Sequence, residues 1–233
     1  MTSPSQSGKA LVTGGGRGIG ANIARWLARD GWDVWVAARS RDQVNAVAEE
    51  IGGHALDLDV TDDASVTRAF EAIGELGFLA ANAGMATEDM RATFEVNVFG
   101  VRRCVEAALA RGVKRIVITG SGASYLPNNK DLSYGPSKAA VGRYAENLNN
   151  ALDIPVFLIS PGLVKTEMTS WAPEDAPWTP PELAPELVRK LATGTYDVLA
   201  GRYIHAEHDD VDDLLARADE IKADDLNAIR LRR

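Results

Sequence analysis

The chain has 233 residues, 45% of them hydrophobic and 25% charged, which fits one globular domain and excludes a wholly disordered protein. Its formal net charge of −8 argues against a nucleic-acid-binding protein, because nucleic acids attract basic surfaces. The single cysteine, Cys104, cannot form an internal disulfide, and no cysteine or histidine cluster has the spacing of a metal site. No apolar run approaches the roughly 18 residues that span a membrane and no signal peptide is recognisable, so we expect a cytoplasmic protein without membrane partners.

Segments typical of buried strands alternate with segments typical of amphipathic helices along residues 9–160. The predicted strands are 9–13, 33–38, 55–60, 78–81, 115–119 and 156–160, and the predicted helices are 21–30, 43–51, 62–73, about 92–111 and 133–152. This order predicts an α/β fold, a doubly wound (Rossmann-like) parallel sheet with helices on both faces, in a single domain over residues 1–233 that begins with a loose arm at 2–8. Because such sheets bind ligands at the carboxyl ends of their strands, functional residues are expected directly after each strand.

The first strand is followed by a glycine-rich turn, TGGGRGIG over residues 13–20, and then by an amphipathic helix. Glycines let the backbone approach a pyrophosphate closely, and the helix N-terminus offers free N–H groups and the positive end of its dipole. The turn is not a P-loop, since no Gly-Lys-Ser/Thr ends it. It indicates a dinucleotide site, with a purely structural glycine turn as the alternative, and its expected contacts are Gly14, Gly16, Arg17, Gly18 and Ile19.

After the second strand come Ala38 and Arg39, at the position where NAD enzymes usually carry a carboxylate for the ribose 2′-hydroxyl. A carboxylate would repel a 2′-phosphate, whereas a guanidinium pairs with it. Arg17 in the glycine turn could reach the same phosphate. Either arginine alone is typical of a solvated surface charge, but both together, with the acid absent, favour NADP(H) over NAD(H).

Asp59 and Val60 end the predicted third strand, and Asp59 could accept a hydrogen bond from an adenine amino group. Thr61 is expected to cap the helix that follows.

Ser121 follows the fifth strand, and Tyr134 and Lys138 lie four residues apart at the start of the next predicted helix. This spacing places the phenol and the ammonium on one helix face, where the positive charge is expected to lower the phenol pKa. Such a tyrosine can transfer a proton near neutral pH, while a serine hydroxyl beside it holds a carbonyl or alcohol oxygen. Tyr-x-x-x-Lys alone is common on helices, and the glycine turn gives it weight.

In this order and at these spacings the chain resembles a compact, single-domain short-chain dehydrogenase/reductase (SDR) over about residues 8–168. The motifs that carry the resemblance are TGGGRGIG, DVT, NAG, the Asn of FEVNVFG, Ser121, YGPSK and SPGLVKT. It implies a catalytic set of Asn97, Ser121, Tyr134 and Lys138: Tyr134 as acid/base, Ser121 orienting the reacting oxygen, Lys138 lowering the tyrosine pKa and holding the nicotinamide ribose, and Asn97 positioning a relay water. It also implies cofactor contacts from Asn82, Ala83 and Gly84 under the ribose, and from Pro161, Gly162, Val164 and Thr166 around the nicotinamide.

The chain departs from the family pattern at three places. Ala81 replaces the first of two asparagines, only thirteen positions separate Gly84 from Asn97, and an acidic stretch replaces the usual Gly-Gly after the last predicted strand at 201–206. The shortened approach to Asn97 affects the shape of one pocket wall more than the chemistry.

The resemblance implies hydride transfer between NADP(H) and a small-molecule carbonyl/alcohol pair, with a small apolar ketone or aldehyde as the expected substrate, and a homodimer or homotetramer assembled through the two long helices. A catalytically silent NADP(H)-binding regulatory or scaffold protein is the alternative. A nucleotide-sugar epimerase or dehydratase is a further one, although such relatives carry a longer C-terminal substrate domain.

Two C-terminal segments complete the predictions. Residues 168–195 are expected to form a proline-rich substrate lid in which Trp171 or Trp178 lines the pocket, unless both only anchor the loop. Residues 207–233 form an acidic tail whose apolar residues recur at helical spacing, which predicts one amphipathic helix that packs on its own domain or on a neighbouring subunit.

Overall fold

Seven parallel strands form one sheet in the order β3-β2-β1-β4-β5-β6-β7 in the computed structural model, which describes residues 8–127 and 131–231. The strands are β1 (Lys9–Thr13), β2 (Asp33–Ala38), β3 (His54–Asp57), β4 (Phe78–Ala81), β5 (Arg115–Thr119), β6 (Val156–Ser160) and β7 (Tyr203–His205). The strand order reverses between β1 and β4, which is where doubly wound sheets bind ligands. The predicted fold class is confirmed, and the predicted arm at 2–8 lies outside the described residues except for Gly8.

Helices cover both faces of this sheet. They are α1 (Gly18–Arg29), α2 (Arg41–Ile51), α3 (Asp63–Ile73), α4 (Met90–Phe94), α5 (Val101–Leu109), α6 (Tyr134–Ala151), α7 (Leu183–Ala192), α8 (Val211–Ala216) and α9 (Ala218–Ala223). Apolar side chains of α1, α2, α7, α8 and α9 form the core on one face, and those of α3, α5 and α6 form the core on the other. A π-helical turn, Glu95–Gly100, joins α4 to α5, so the long helix predicted near 92–111 is one helical run with a wider turn inside it.

The third strand is shorter than predicted: it ends at Asp57, and the chain turns at Val60 and Thr61. Asp59 accepts hydrogen bonds from the backbone N–H of Thr61 (2.9 Å) and from the Thr61 hydroxyl (2.7 Å). This occupies the Thr61 side chain, and Asp62 caps α3 by accepting from the N–H of Ala64. The prediction of Thr61 as the cap was therefore wrong.

The tail folds onto its own domain as two short helices instead of one. Val211, Leu214 and Ile221 are buried in the same core as α1 and α7. The break at Arg217, which has non-helical backbone angles, lets both pieces turn their apolar side chains to that core. Within the described ranges 8–127 and 131–231, no helix has the length and apolar character that crossing a membrane requires.

Candidate active site

A cavity of about 600 Å³ opens at the carboxyl ends of β1, β2, β4, β5 and β6. It brings together nearly all the site residues predicted from sequence, although they come from segments far apart in the chain. The predicted residues along its walls are Gly14, Gly16, Arg17, Gly18, Ile19, Ala38, Arg39, Asp59, Val60, Asn82, Ala83, Gly84, Ser121, Tyr134, Lys138, Pro161, Gly162, Val164 and Thr166.

The glycine turn packs tightly against the loop after β4. A Cβ at Gly14, where φ is +65°, would lie 2.9 Å from the Cα of Ala83, and one at Gly20 would lie 2.2 Å from the carbonyl oxygen of Gly14. The Asn82 side-chain amide donates to the carbonyls of Thr13 (3.3 Å) and Gly14 (3.4 Å). Any side chain at Gly14 or Gly20 would collide with the protein's own backbone, so the close contact between the turn and the loop after β4 requires glycine at both positions.

Arg39 gives one end of the cavity a positive charge, whereas the charge of Arg17 at the same end is paired. Arg39 is exposed, and it forms no ion pair with another residue in the described part of the chain. Arg17 pairs with Glu167, which follows β6, and this ion pair links the glycine turn to the opposite wall. Burial raises the pKa of Asp59, but hydrogen bonds from Thr61 and the charge of Arg39 lower it by more. The pKa of Asp59 therefore lies below its usual value.

Lys138 lies buried at the other end of the cavity, on the first turns of α6. Its Nζ donates to the carbonyl of Thr119 (2.7 Å) and lies 5.6 Å from the centroid of the Tyr134 ring. Burial lowers the pKa of Lys138 to about 8. Because the ammonium is still the main form at neutral pH, this end of the cavity also carries a positive charge.

Burial raises the pKa of Tyr134 above its usual value, and a hydrogen bond with Ser121 offsets only part of that shift. The sequence predicted the opposite direction, from the charge of Lys138. The loss of water around the phenol is the largest influence on its pKa, and the negative charge of Asp131 raises the pKa as well. Tyr134 is therefore a protonated acid at neutral pH in this structure.

Asp131 positions Tyr134 and was missed from sequence. Its carboxylate accepts hydrogen bonds from the backbone N–H groups of Tyr134 (2.7 Å), Gly135 (2.7 Å) and Ser133 (3.1 Å), which are the unpaired donors at the start of α6. An acidic residue three positions before the first helical residue was the available signal.

Asn97 lies in the π-helical turn, and its side chain is fully buried beside the cavity instead of lining it. Its amide oxygen accepts from the N–H of Met85 (2.8 Å), and its amide nitrogen donates to the Met85 carbonyl (2.8 Å) and to the Ser137 hydroxyl (2.9 Å). All three contacts are internal, so the side chain supports the loop after β4.

The two tryptophans of the predicted lid are absent from the described walls of the cavity. Trp171 is 76% exposed, and the Trp178 indole N–H donates to the carbonyl of Glu174 (2.9 Å) within the same loop. Among the residues described, only Met168 and Thr169 of the predicted lid line the cavity.

Comparison with known proteins agrees with this geometry. Residues 8–176 match the family model of the short chain dehydrogenases. The chain is 32% identical over 188 residues to 3-oxoacyl-[acyl-carrier-protein] reductase FabG of Escherichia coli (strain K12), covering 71% of this chain and 77% of that protein. Among solved structures, the Pseudomonas aeruginosa RhlG/NADP active-site complex matches with a TM-score of 0.80 and 28% identity over 86% of this chain and 95% of that one. The 3-oxoacyl-[acyl-carrier protein] reductase from Brucella melitensis in complex with NAD matches with a TM-score of 0.78 and 26% identity, over 88% and 97%.

Proposed function

Because this chain belongs to the short-chain dehydrogenase/reductase family, we propose that it transfers a hydride between NADP(H) and a carbonyl/alcohol pair, with reduction of a small apolar ketone or aldehyde as its reaction. The observation that carries the proposal is the convergence of Ser121, Tyr134 and Lys138 on the cavity that the glycine turn borders.

The residues of the cavity fit a dinucleotide. The turn around Gly14 has no side chains that would block a pyrophosphate, and the N-terminus of α1 begins directly after it. Arg39 would hold a 2′-phosphate at one end, and Lys138 would hold a ribose hydroxyl at the other. When bound, the nicotinamide ring supplies or accepts the hydride.

The chain's own residues handle the proton. Tyr134, which is protonated at neutral pH, donates its phenolic proton to the carbonyl oxygen of the substrate as that carbon is reduced. The Ser121 hydroxyl binds the same oxygen and orients it toward the phenol. Once the proton has left, the Lys138 ammonium stabilises the phenolate, since opposite charges attract strongly in a buried site.

The preference for NADP(H) rests on Arg39 and on the absence of a carboxylate directly after β2. The similar structures include complexes with NADP and a complex with NAD, so the fold accepts either cofactor. A guanidinium at this position favours the phosphorylated one, because it can pair with the 2′-phosphate.

The preference for an apolar substrate rests on the loops that follow β5 and β6. Both loops begin at the edge of the cavity, where their strands end. They expose large apolar side chains, namely Tyr125, Leu126, Leu132, Met168 and Trp171. Exposed apolar groups near a binding site are available to cover an apolar ligand. Trp171 belongs to the loop after β6, and this loop would close over the site and bring the tryptophan to an apolar substrate.

We also propose that the protein assembles as a homodimer or homotetramer through the helical run 90–109 and α6. Exposed Met90 and Phe99 on that run support a partner surface there. A monomer in analytical ultracentrifugation at micromolar concentration would contradict this assembly.

Following the oxidation of NADPH and NADH by absorbance, with a panel of apolar ketones and aldehydes, tests the function. We expect turnover with NADPH, and a loss of roughly a hundredfold or more in Tyr134→Phe, which keeps the ring but has no proton to donate. NADPH binding without any turnover, and identical behaviour of wild type and Tyr134→Phe, would favour the silent scaffold protein instead.

A further inference from the structure

Thr179, a residue of the loop between β6 and α7, packs against the cavity wall that follows β6, on the side away from the cavity. The Thr179 side chain is only 2% exposed, and it does not line the cavity. Its hydroxyl accepts a hydrogen bond from the N–H of Leu163 (3.0 Å), and its own N–H donates to the Leu163 carbonyl (2.9 Å). Both polar groups of the Leu163 backbone are therefore fixed by this one residue.

Thr179 also fits closely against the neighbouring glycine of the same wall. A Cβ at Gly162, where φ is +82°, would lie 2.2 Å from the Thr179 hydroxyl oxygen. The wall residues on the cavity side of this contact are Pro161, Gly162 and Val164. A shift of Thr179 would therefore move the surface that a ligand touches.

Glu207, which lies just beyond β7, orients the Thr179 hydroxyl. The hydroxyl donates its single proton to the Glu207 carboxylate, so its lone pairs are free for the N–H of Leu163. The backbone of Glu207 is itself held, since its N–H donates to Nδ1 of His205 (3.2 Å). A chain of hydrogen bonds thus runs from the C-terminal segment to the cavity wall.

The strand order shows which part of the cavity this wall borders. β6 lies beside β5, which leads to Ser121, whereas Arg39 follows β2 on the far side of β1 and β4. We propose that Thr179, oriented by Glu207, is a positioning residue that fixes the wall against the reacting, nicotinamide half of the cofactor. The proposal rests on the proposed function and adds to it two residues that do not line the cavity.

Calorimetric titration with two ligands tests this role. One ligand is NADPH, and the other is adenosine 2′,5′-bisphosphate, which has the adenine, the ribose and the 2′-phosphate but no nicotinamide. Thr179→Val keeps the shape and removes the hydroxyl, so we expect NADPH to bind roughly five- to tenfold more weakly while the bisphosphate stays within about twofold of wild type. Thr179→Ser restores the hydroxyl, and Glu207→Gln retains an acceptor, so both should bind NADPH within about twofold of wild type.

Thr193→Val is the matched control, because that hydroxyl bonds only to the carbonyl of Lys190 and the N–H of Thr195 among the described residues, at the end of α7. It should leave both ligands unchanged. If Thr179→Val does not fold, Glu207→Ala decides the question, since it should weaken NADPH selectively in the same direction.

Equal weakening of both ligands, no weakening of either, or a Thr179→Ser variant as poor as Thr179→Val would overturn the positioning role. These titrations need no turnover. A wild-type protein that binds NADPH but reduces no carbonyl contradicts the proposed function and leaves this comparison intact, whereas one that does not bind NADPH overturns both.

Discussion

Replacing Asn97 by alanine should destabilise the protein mainly through Met85, a half-buried residue of the cavity wall. The substitution removes three hydrogen bonds of 2.8 to 2.9 Å. Ser137 loses least, because its hydroxyl still donates to the carbonyl of Tyr134 (2.7 Å). The N–H and the carbonyl of Met85 both lose their partner, and few other groups are placed to replace it.

The magnitude follows from those two backbone groups. An orphaned buried donor or acceptor costs about 1–3 kcal/mol, and water can reach part of Met85, so we expect a loss of about 3 kcal/mol in the free energy of unfolding. For a chain of this size that corresponds to a fall of about 6–12 °C in Tm. The same change loosens the wall at Gly84 and Met85, so the KM for the cofactor should rise.

Urea unfolding followed by tryptophan fluorescence measures the stability, and steady-state kinetics measures the cofactor KM. Asn149→Ala is the control, because the Asn149 side chain makes a single hydrogen bond in the described structure, which it accepts from the N–H of Val156 (3.2 Å). This substitution should lower the free energy of unfolding by about 1 kcal/mol. An Asn97→Ala variant as stable as wild type, but with kcat reduced a hundredfold, would refute this account and place the amide at the reacting atoms.

Two further substitutions test the charges at the two ends of the cavity. Arg39→Ala should weaken NADPH binding by about 1–3 kcal/mol and change NADH binding little, and equal weakening of both would show that Arg39 does not read the 2′-phosphate. The pKa of Lys138 is about 8 in the folded protein and 10.5 in the unfolded chain. Between these two pH values the unfolded state binds more protons than the folded state. The free energy of unfolding therefore rises with pH across that window. Lys138→Met should flatten this rise in urea titrations at pH 8 to 10.5, and an unchanged slope would contradict the buried ammonium.

The sequence predicted the central strands best, because burial on both faces leaves a simple signal. β1, β2, β4, β5 and β6 have the predicted bounds, and each is a nearly continuous apolar run. β3 lies at the edge of the sheet and is only half buried, whereas the apolar residues Leu58 and Val60, which come after the strand, are buried. Apolar character indicates that a residue is buried, but it does not show whether its backbone is still hydrogen-bonded to a neighbouring strand.

Most of the residues that line the cavity were predictable for a different reason: many of them follow a strand closely, and the fold brings the ends of parallel strands together. The supporting residues were not. Asp131, Thr179 and Glu207 act through hydrogen bonds to backbone or hydroxyl groups, and no periodic sequence pattern predicts such bonds. The π-helical turn around Asn97 was equally hidden, because its side-chain pattern differs little from that of an α-helix over six residues.

The relation between Tyr134 and Lys138 shows what spacing leaves undetermined. Four residues on a helix place the two groups on one face, but the sign of the pKa shift depends on how much water the fold removes and on where the ammonium points. Here burial dominates the pKa of Tyr134, and the Lys138 ammonium donates a hydrogen bond to the Thr119 carbonyl. A phenol is protonated at neutral pH with or without this shift, so Tyr134 can give a proton to a carbonyl oxygen in either case. The shift makes the phenol a weaker acid, so the proposed proton transfer needs the buried Lys138 ammonium to stabilise the phenolate.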